Sequence, residues 1–239
     1  MTSLPSHAAQ ASEQPRLSFL RAAPAGVGII PQGRRLGIFS GAFNPITLAH
    51  VALAQSAYTH YRLHEVLFLL PITQPHKLIR DAPIDARLHM MALAVHDDPS
   101  SSVGSCTHGL FIDICRAVDN AYPPATQLSI IIGRDAAERI LTWPYPDPEQ
   151  ALRQLFTRAE LLVADRGGKF TVPDNPSVRA YADHIHHLPL PPAYHHISAT
   201  DVRKRLIQGE DVAGLISPIV LAYIQAHHLY QQSQKGASR

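Results

Sequence analysis

The sequence has little of what marks a disulfide-stabilised, membrane-spanning or strongly charged protein. It contains only two cysteines, Cys106 and Cys115, which are too few for a disulfide framework or a cysteine-rich zinc site. No run of 18 uncharged apolar residues occurs, so no membrane-spanning helix is predicted. The net charge is only +2, and it therefore gives no reason to expect a nucleic-acid or membrane partner.

The rest of the composition is that of an ordinary folded protein. The chain has 239 residues, of which 46% are hydrophobic and 17% charged. A chain of this length buries roughly 70% of the surface that it exposes when unfolded. The segment 1–33 is rich in alanine, serine and proline and has no periodic pattern. We therefore expect a disordered N-terminal extension over 1–33, one domain over 34–230 and a flexible tail over 231–239.

From residue 34 onward, short apolar runs alternate with helical patterns. The apolar runs are nearly continuous, which is typical of strands buried on both faces; they lie at 36–40, 65–70, 128–132 and 161–164. Helical periodicity separates and follows these runs, at 48–61, 84–95, 110–120, 134–141, 149–157, 200–208 and 217–228. The alternation predicts an α/β protein with a doubly wound parallel sheet and a small helical region at its C-terminus.

The segment after the first predicted strand carries the clearest signs of a ligand site. Gly41 and Ala42 are small, so a ligand can approach the backbone closely. Thr47 is a good N-cap, and His50 falls in the first turn of the next helix, where unpaired N–H groups and the helix dipole favour an anion. Open α/β sheets bind ligands at this carboxyl end of their strands. The simpler alternative is a tight turn followed by a surface histidine.

Two later segments could complete such a site. Ser198 or Thr200 can cap the helix that follows, and Arg203 lies about one turn further on, within reach of a triphosphate at the helix start. Gly133 ends another predicted strand and Asp135 follows it, an arrangement that suits a ribose or base contact. Taken alone, each segment is also an ordinary structural feature. The histidine-rich stretch 184–196 has no carboxylate or cysteine at ligand spacing, so we predict no metal site there.

These segments together resemble the nicotinate and nicotinamide mononucleotide adenylyltransferases of the nucleotidylyltransferase superfamily. The first segment is similar to the family's Gly-x-Phe-x-Pro-x-(His or Thr)-x-x-His signature, which it fills with Gly41, Phe43, Pro45, Thr47 and His50. The segment 197–203 is similar to the family's Ile-Ser-Ser-Thr-x-Ile-Arg motif, with Ala199 in place of the second serine. The resemblance covers residues 34–230.

The resemblance implies a Rossmann-like nucleotidylyltransferase fold and a cytoplasmic enzyme of NAD biosynthesis. Such an enzyme joins nicotinate mononucleotide to ATP and releases pyrophosphate, with Mg²⁺ bound mainly through the ATP phosphates. The implied catalytic residues are Thr47, His50, Lys77 and Arg203. The implied ATP-binding residues are Ser40, Gly41, Ala42, Phe43, Gly133, Asp135, Ile197, Ser198 and Thr200. Asn44 and Trp143 are the implied contacts of the mononucleotide, Trp143 as a stacking surface for its pyridine ring.

The sequence is compatible with other acceptors and with other roles for several of these residues. The acceptor could instead be nicotinamide mononucleotide, phosphopantetheine or a sugar-type phosphate. The chain has Thr107-His-Gly-Leu-Phe111 where bacterial nicotinate enzymes tend to have a Ser-Tyr-Thr segment. This departure and Ala199 leave room for a non-catalytic nucleotide-binding relative. Arg87 either faces solvent or pairs with an acidic neighbour. Lys77 could be a solvated loop residue, and Trp143 could be a core residue. A homo-oligomer is possible.

Overall fold

One sheet organises the residues that the computed structural model describes, which are 14–23, 34–73, 82–165 and 168–231. Its strands in chain order are β1 (Leu17–Arg21), β2 (Arg35–Ser40), β3 (Glu65–Pro71), β4 (Ser101–Cys106), β5 (Gln127–Gly133), β6 (Ala159–Asp165) and β7 (Ile185–Pro189). Across the seven-stranded sheet the order is β1-β4-β3-β2-β5-β6-β7. Strands β2 to β7 pair in parallel, and β1 pairs with β4 in antiparallel orientation.

Helices cover both faces of this sheet. They are α1 (Leu48–His60), α2 (Ile84–Ala94), α3 (Phe111–Ala121), α4 (Arg134–Leu141), α5 (Pro148–Arg158), α6 (Pro176–Arg179), α7 (Ala199–Gln208) and α8 (Pro218–Ala226). The core on one face is shared by α1, α2, α7 and α8, and the core on the other face by α3, α4 and α5. The predicted doubly wound α/β architecture is thereby confirmed. Of the helices described, none combines the length and apolar character needed to cross a membrane.

The central strands are apolar on both faces because both faces are covered. In β3, Phe68 belongs to one core, while Leu67 and Leu69 belong to the other. All three side chains are fully buried. This two-sided burial explains why the sequence shows continuous apolar runs rather than the alternation of a half-exposed sheet.

Three of the seven strands were not predicted, and two of them, β4 and β7, were missed because their sequences lack an apolar run. Strand β4 reads Ser-Ser-Val-Gly-Ser-Cys, yet all of its residues are buried. Its serines find polar partners: Ser102 donates to the buried carboxylate of Glu65 at 2.5 Å, and Ser101 donates to Asp98 at 2.8 Å. Strand β7 contains two adjacent histidines and forms the outer edge of the sheet. Hydrogen bonding and position, rather than hydrophobicity, define these strands.

Part of the segment expected to be an N-terminal extension is folded, which corrects the predicted boundary at residue 34. Residues 17–21 form β1 and pair with β4. The guanidinium of Arg21 fixes the end of this strand by donating to the carbonyl oxygens of Ser101 and Asp98, the latter at 2.9 Å. The strand was missed because its apolar segment is too short to show periodicity and is only partly buried.

The order of the strands creates a crevice at the carboxyl ends of β2 and β5. From β2 the chain passes through α1 to β3 on one side, and from β5 it passes through α4 and α5 to β6 on the other. Because the two connections leave in opposite directions, the strand ends between them stay open, as at the switch point of other open α/β sheets. The loop after β2 and the start of α4 both lie at this edge.

The contact between β1 and β4 provides a test of the fold. A Cβ atom on Gly104 would lie 2.6 Å from the carbonyl oxygen of Ser18. We therefore expect Gly104→Ala to detach β1, because a backbone atom cannot give way without moving the strand. Hydrogen exchange should show loss of amide protection in 17–21 with unchanged protection in β5 and β6. Retained protection of 17–21 would contradict this packing.

Candidate active site

The loop between β2 and α1, residues 41–47, forms the floor of the candidate site. The Gly41 N–H still donates to the Leu69 carbonyl at 3.1 Å, so the strand ladder extends one residue beyond β2. Phe43 then adopts φ 42°, a left-handed conformation that residues with a side chain rarely take. Its buried ring packs against Phe39 and Phe68, with ring centroids 5.3 and 5.9 Å away. This aromatic packing compensates the backbone strain and fixes the loop.

Three backbone donors of the loop have no acceptor among the residues that the structure describes. They are the amide N–H groups of Ala42, Phe43 and Ile46, of which the first two lie at the end nearest to β2. Buried or half-buried N–H groups normally have partners, so such donors beside a crevice are suited to bind an anionic ligand. A Cβ on Gly41 would come within 3.3 Å of the Phe43 ring, which explains the glycine before this turn.

The start of α1 determines which nitrogen of His50 can donate. Thr47 is the N-cap of α1, and its backbone N–H donates to Nδ1 of His50 at 3.0 Å. A backbone N–H can only donate, so Nδ1 accepts and the hydrogen of the imidazole lies on Nε2. The ring is held in place by Phe43, 5.3 Å away between centroids. His50 is thus arranged as a neutral N–H donor at a helix N-terminus.

The structure brings the second predicted segment onto this loop. Arg203 of α7 donates through Nη1 to the carbonyl oxygen of Asn44 at 2.7 Å, although 159 positions separate them in the sequence. A second, longer contact of Nη1 reaches the Ala199 carbonyl at 3.3 Å within the helix. The cationic end of Arg203 therefore lies beside the loop that leads to His50, as the predicted site requires.

Asn44 links the loop to the C-terminal end of the fold. Its side-chain oxygen accepts a hydrogen bond of 2.6 Å from the hydroxyl of Tyr230, and both residues are buried. This contact gives the Asn44 side chain a role in holding the loop; the predicted contact with a mononucleotide stays a prediction. Sequence reasoning missed Tyr230, because a single aromatic near the end of a chain carries no signal of its own.

Arg87 of α2 holds the same loop from another side. It is almost fully buried, and it donates through Nη1 to the Ala42 carbonyl and through Nε to the Ala82 carbonyl, each at 3.1 Å. Burial lowers the pKa of this guanidinium, and the neighbouring Tyr230 offsets part of that effect. Solvent exposure or an acidic partner was expected; instead the observed partners are two carbonyl oxygens.

The end of β5 lies next to the loop across the crevice. Gly133 is exposed and caps α4, and Asp135 is exposed in the first turn of that helix. The Arg134 side chain turns to the carbonyl oxygens of Gly168 and Lys169 instead. Trp143 is half-buried beyond the end of α4. These positions leave Gly133 and Asp135 available to a ligand.

The remaining predicted site residues differ in how accessible they are to a ligand. Ser40 is half-buried at the end of β2, Ser198 is the N-cap of α7, and Thr200 is exposed. The side chain of Ile197 is buried in the core, so a ligand could meet only its backbone. Lys77 lies outside the described residues.

Comparison with known proteins gives a consistent result. Residues 38–205 match the family model described as Cytidylyltransferase-like. A protein of Solibacter usitatus named "Probable nicotinate-nucleotide adenylyltransferase" is 35% identical over 202 residues, covering 82% of this chain and 99% of its own length. A protein of Bordetella pertussis with the same name is 32% identical over 210 residues, covering 82% and 98% of the two chains.

A solved structure has the same fold. The Plasmodium falciparum nicotinic acid mononucleotide adenylyltransferase complexed with NaAD superposes with a TM-score of 0.65, covering 83% of this chain and 98% of that one. The sequence identity is 18%, so this likeness concerns the fold alone.

The mostly parallel sheet, the family match and the full-length relatives together identify a nucleotidylyltransferase. The family model covers most of the chain, and a full-length relative is 35% identical to it. Both findings confirm the resemblance seen in the sequence. The chain belongs to the cytidylyltransferase-like family and, within it, groups with the nicotinate-nucleotide adenylyltransferases.

The hydrogen bond between Tyr230 and Asn44 can be tested by its effect on stability. Tyr230→Phe leaves a buried amide oxygen without this donor, so we expect the free energy of unfolding to fall by about 1–3 kcal/mol. Tyr223→Phe is the matched control, because the Tyr223 hydroxyl bonds to no other described residue; it should change stability by less than about 0.5 kcal/mol. Urea denaturation measures both, and equal effects would contradict the assigned contact.

Proposed function

We propose that this protein transfers the adenylyl group of ATP to the 5′-phosphate of nicotinate mononucleotide. An oxygen of the mononucleotide phosphate attacks the α-phosphorus of ATP in line, a new P–O bond forms, and the bond between the α-phosphorus and the bridging oxygen breaks. Pyrophosphate leaves, and the product is the deamido form of NAD. The names of the full-length relatives support this substrate pair.

The observation that carries the proposal is the hydrogen bond from Arg203 to the Asn44 carbonyl oxygen in the loop 41–47. Phosphoryl-type transfer depends on positioning and on neutralising charge rather than on covalent chemistry by the protein. The loop supplies backbone N–H groups, His50 supplies a neutral donor at a helix N-terminus, and Arg203 supplies a fixed positive charge. All three lie at the carboxyl edge of the sheet, where one polyanion can contact them together.

No general base is required in this mechanism. The attacking phosphate is already ionised at neutral pH, so the protein needs only to align it. The tautomer of His50 agrees with this, because its Nδ1 is engaged by Thr47 and its Nε2 carries the hydrogen. We assign His50 to the phosphates of ATP near the reacting phosphorus, where an N–H donor stabilises the developing charge. Lys77 remains a predicted contact of the phosphates.

Mg²⁺ fits this site as part of the ATP substrate. The ion prefers oxygen ligands and usually keeps several waters. Among the residues described, no three histidine, cysteine or acidic side chains are grouped as a metal site. A donor set of phosphate oxygens and water suits that surface, and the ion would neutralise phosphate charge alongside Arg203. We place the reaction in the cytoplasm, a reducing compartment that suits the two free, buried cysteines.

The role of His50 is tested by substitution on one helix. We expect His50→Ala to reduce kcat by about 100- to 1,000-fold, the loss seen when one preorganised donor is removed from a transition state. His60→Ala, at the exposed other end of α1, should leave kcat within about twofold of the wild type. Pyrophosphate release from ATP and nicotinate mononucleotide is the measurement. Unchanged turnover in His50→Ala would rule out the mechanism.

The acceptor is tested by parallel assays. Pyrophosphate release should be fastest with nicotinate mononucleotide, and slower with nicotinamide mononucleotide and phosphopantetheine. Faster release with another acceptor would contradict the proposed substrate. Binding of ATP without release with any acceptor would instead identify a non-catalytic nucleotide-binding protein.

A further inference from the structure

The buried guanidinium of Arg87 is not used by the mechanism described above. Its side chain lies under the loop 41–47 and donates hydrogen bonds to two backbone carbonyl oxygens, those of Ala42 and Ala82, at 3.1 Å each. Burying a cation costs free energy, and burial lowers the pKa of this group. Two hydrogen bonds to carbonyl oxygens offset only part of the free-energy cost of burying the guanidinium. A buried arginine at this position therefore indicates a specific structural role.

Planar peptide geometry connects Arg87 to the crevice. In a trans peptide, the carbonyl of one residue and the N–H of the next point in opposite directions. Arg87 holds the Ala42 carbonyl on the side of α2, so the Phe43 N–H of the same peptide unit is turned away from Arg87. That N–H is one of the loop donors with no acceptor in the described part of the chain.

We propose that Arg87 is a positioning residue that aims the Phe43 N–H at a phosphate oxygen of ATP through its hydrogen bond to the Ala42 carbonyl. The left-handed conformation of Phe43 explains why such a hold is needed. A strained peptide unit relaxes unless its surroundings fix it. The Phe43 ring is fixed by aromatic packing, and Arg87 fixes the peptide itself. The inference rests on the proposed transfer from ATP.

The test compares Arg87→Met with Arg34→Met. Methionine keeps much of the side-chain volume and removes the charge and the donors. Arg34 is the matched control, because it is equally buried, at 5% exposure for both arginines, but precedes β2 at the opposite edge of the sheet. We expect kcat of Arg87→Met to fall about 10- to 100-fold, with KM for ATP changed by less than about threefold. Arg34→Met should keep kcat within about twofold, whatever its melting temperature.

Three results would decide against the role of Arg87. Wild-type kcat in folded Arg87→Met would overturn it, and so would a raised KM for ATP with unchanged kcat, which indicates uniform binding instead of positioning. If Arg87→Met does not fold, Arg87→Lys decides the question. Lysine keeps the charge but lacks the planar fork that reaches both carbonyls, so kcat should fall at least about fivefold, and wild-type kcat would overturn the proposal.

An NMR measurement separates this inference from the proposed function. In ¹⁵N-labelled wild-type protein, the Phe43 amide resonance should shift when α,β-methylene ATP binds, and in Arg87→Met this shift should shrink by at least half. If the shift is present in the wild type and reduced in Arg87→Met, but the wild type releases no pyrophosphate with nicotinate mononucleotide, the proposed function fails and the role of Arg87 stands. If the enzyme is active and the shift is the same in both proteins, the role of Arg87 fails and the function stands.

Discussion

The site depends on a short loop held in a strained shape by polar contacts from three later parts of the chain. Arg87 binds the Ala42 carbonyl, Arg203 binds the Asn44 carbonyl, and the Tyr230 hydroxyl binds the Asn44 side chain. None of these contacts exists until the chain has folded on itself, so the loop takes the shape proposed to bind phosphate only in the complete domain. Preorganisation of this kind is what lets backbone donors stabilise a transition state without reorganising during the reaction.

The chemistry follows from how charge is distributed around this loop. Arg203 brings a positive charge beside it, the start of α1 adds the helix dipole, and His50 donates as a neutral group because Nδ1 accepts from Thr47. Adenylyl transfer to a phosphate requires alignment of the reacting groups and neutralisation of their charge. In the proposed mechanism, Arg203, the start of α1 and His50 supply both, without a base or a protein nucleophile. Specificity between acceptors has to come from elsewhere, and Trp143, beyond the end of α4, is the predicted contact for the pyridine ring.

Sequence patterns predicted the parts of the fold that hydrophobicity defines and missed those that polar contacts define. The runs at β2, β3, β5 and β6 are buried on both faces, so their sequences are recognisable, whereas β4 is a buried strand of serines with polar partners. At the site, the motif residues Thr47, His50 and Arg203 were recognisable by type and spacing. Arg87 and Tyr230 were not, because their roles depend on distant backbone and amide oxygens that no local pattern records.

The central claim is that the loop 41–47, His50 and Arg203 contact one polyphosphate. A crystal structure with α,β-methylene ATP and Mg²⁺ tests it most directly. The account predicts phosphate oxygens within hydrogen-bond distance of the His50 Nε2 atom, the Phe43 N–H and the Arg203 guanidinium, at the carboxyl ends of β2 and β5. A nucleotide whose phosphates lie away from these groups, or that touches only one of the two motifs, would contradict it.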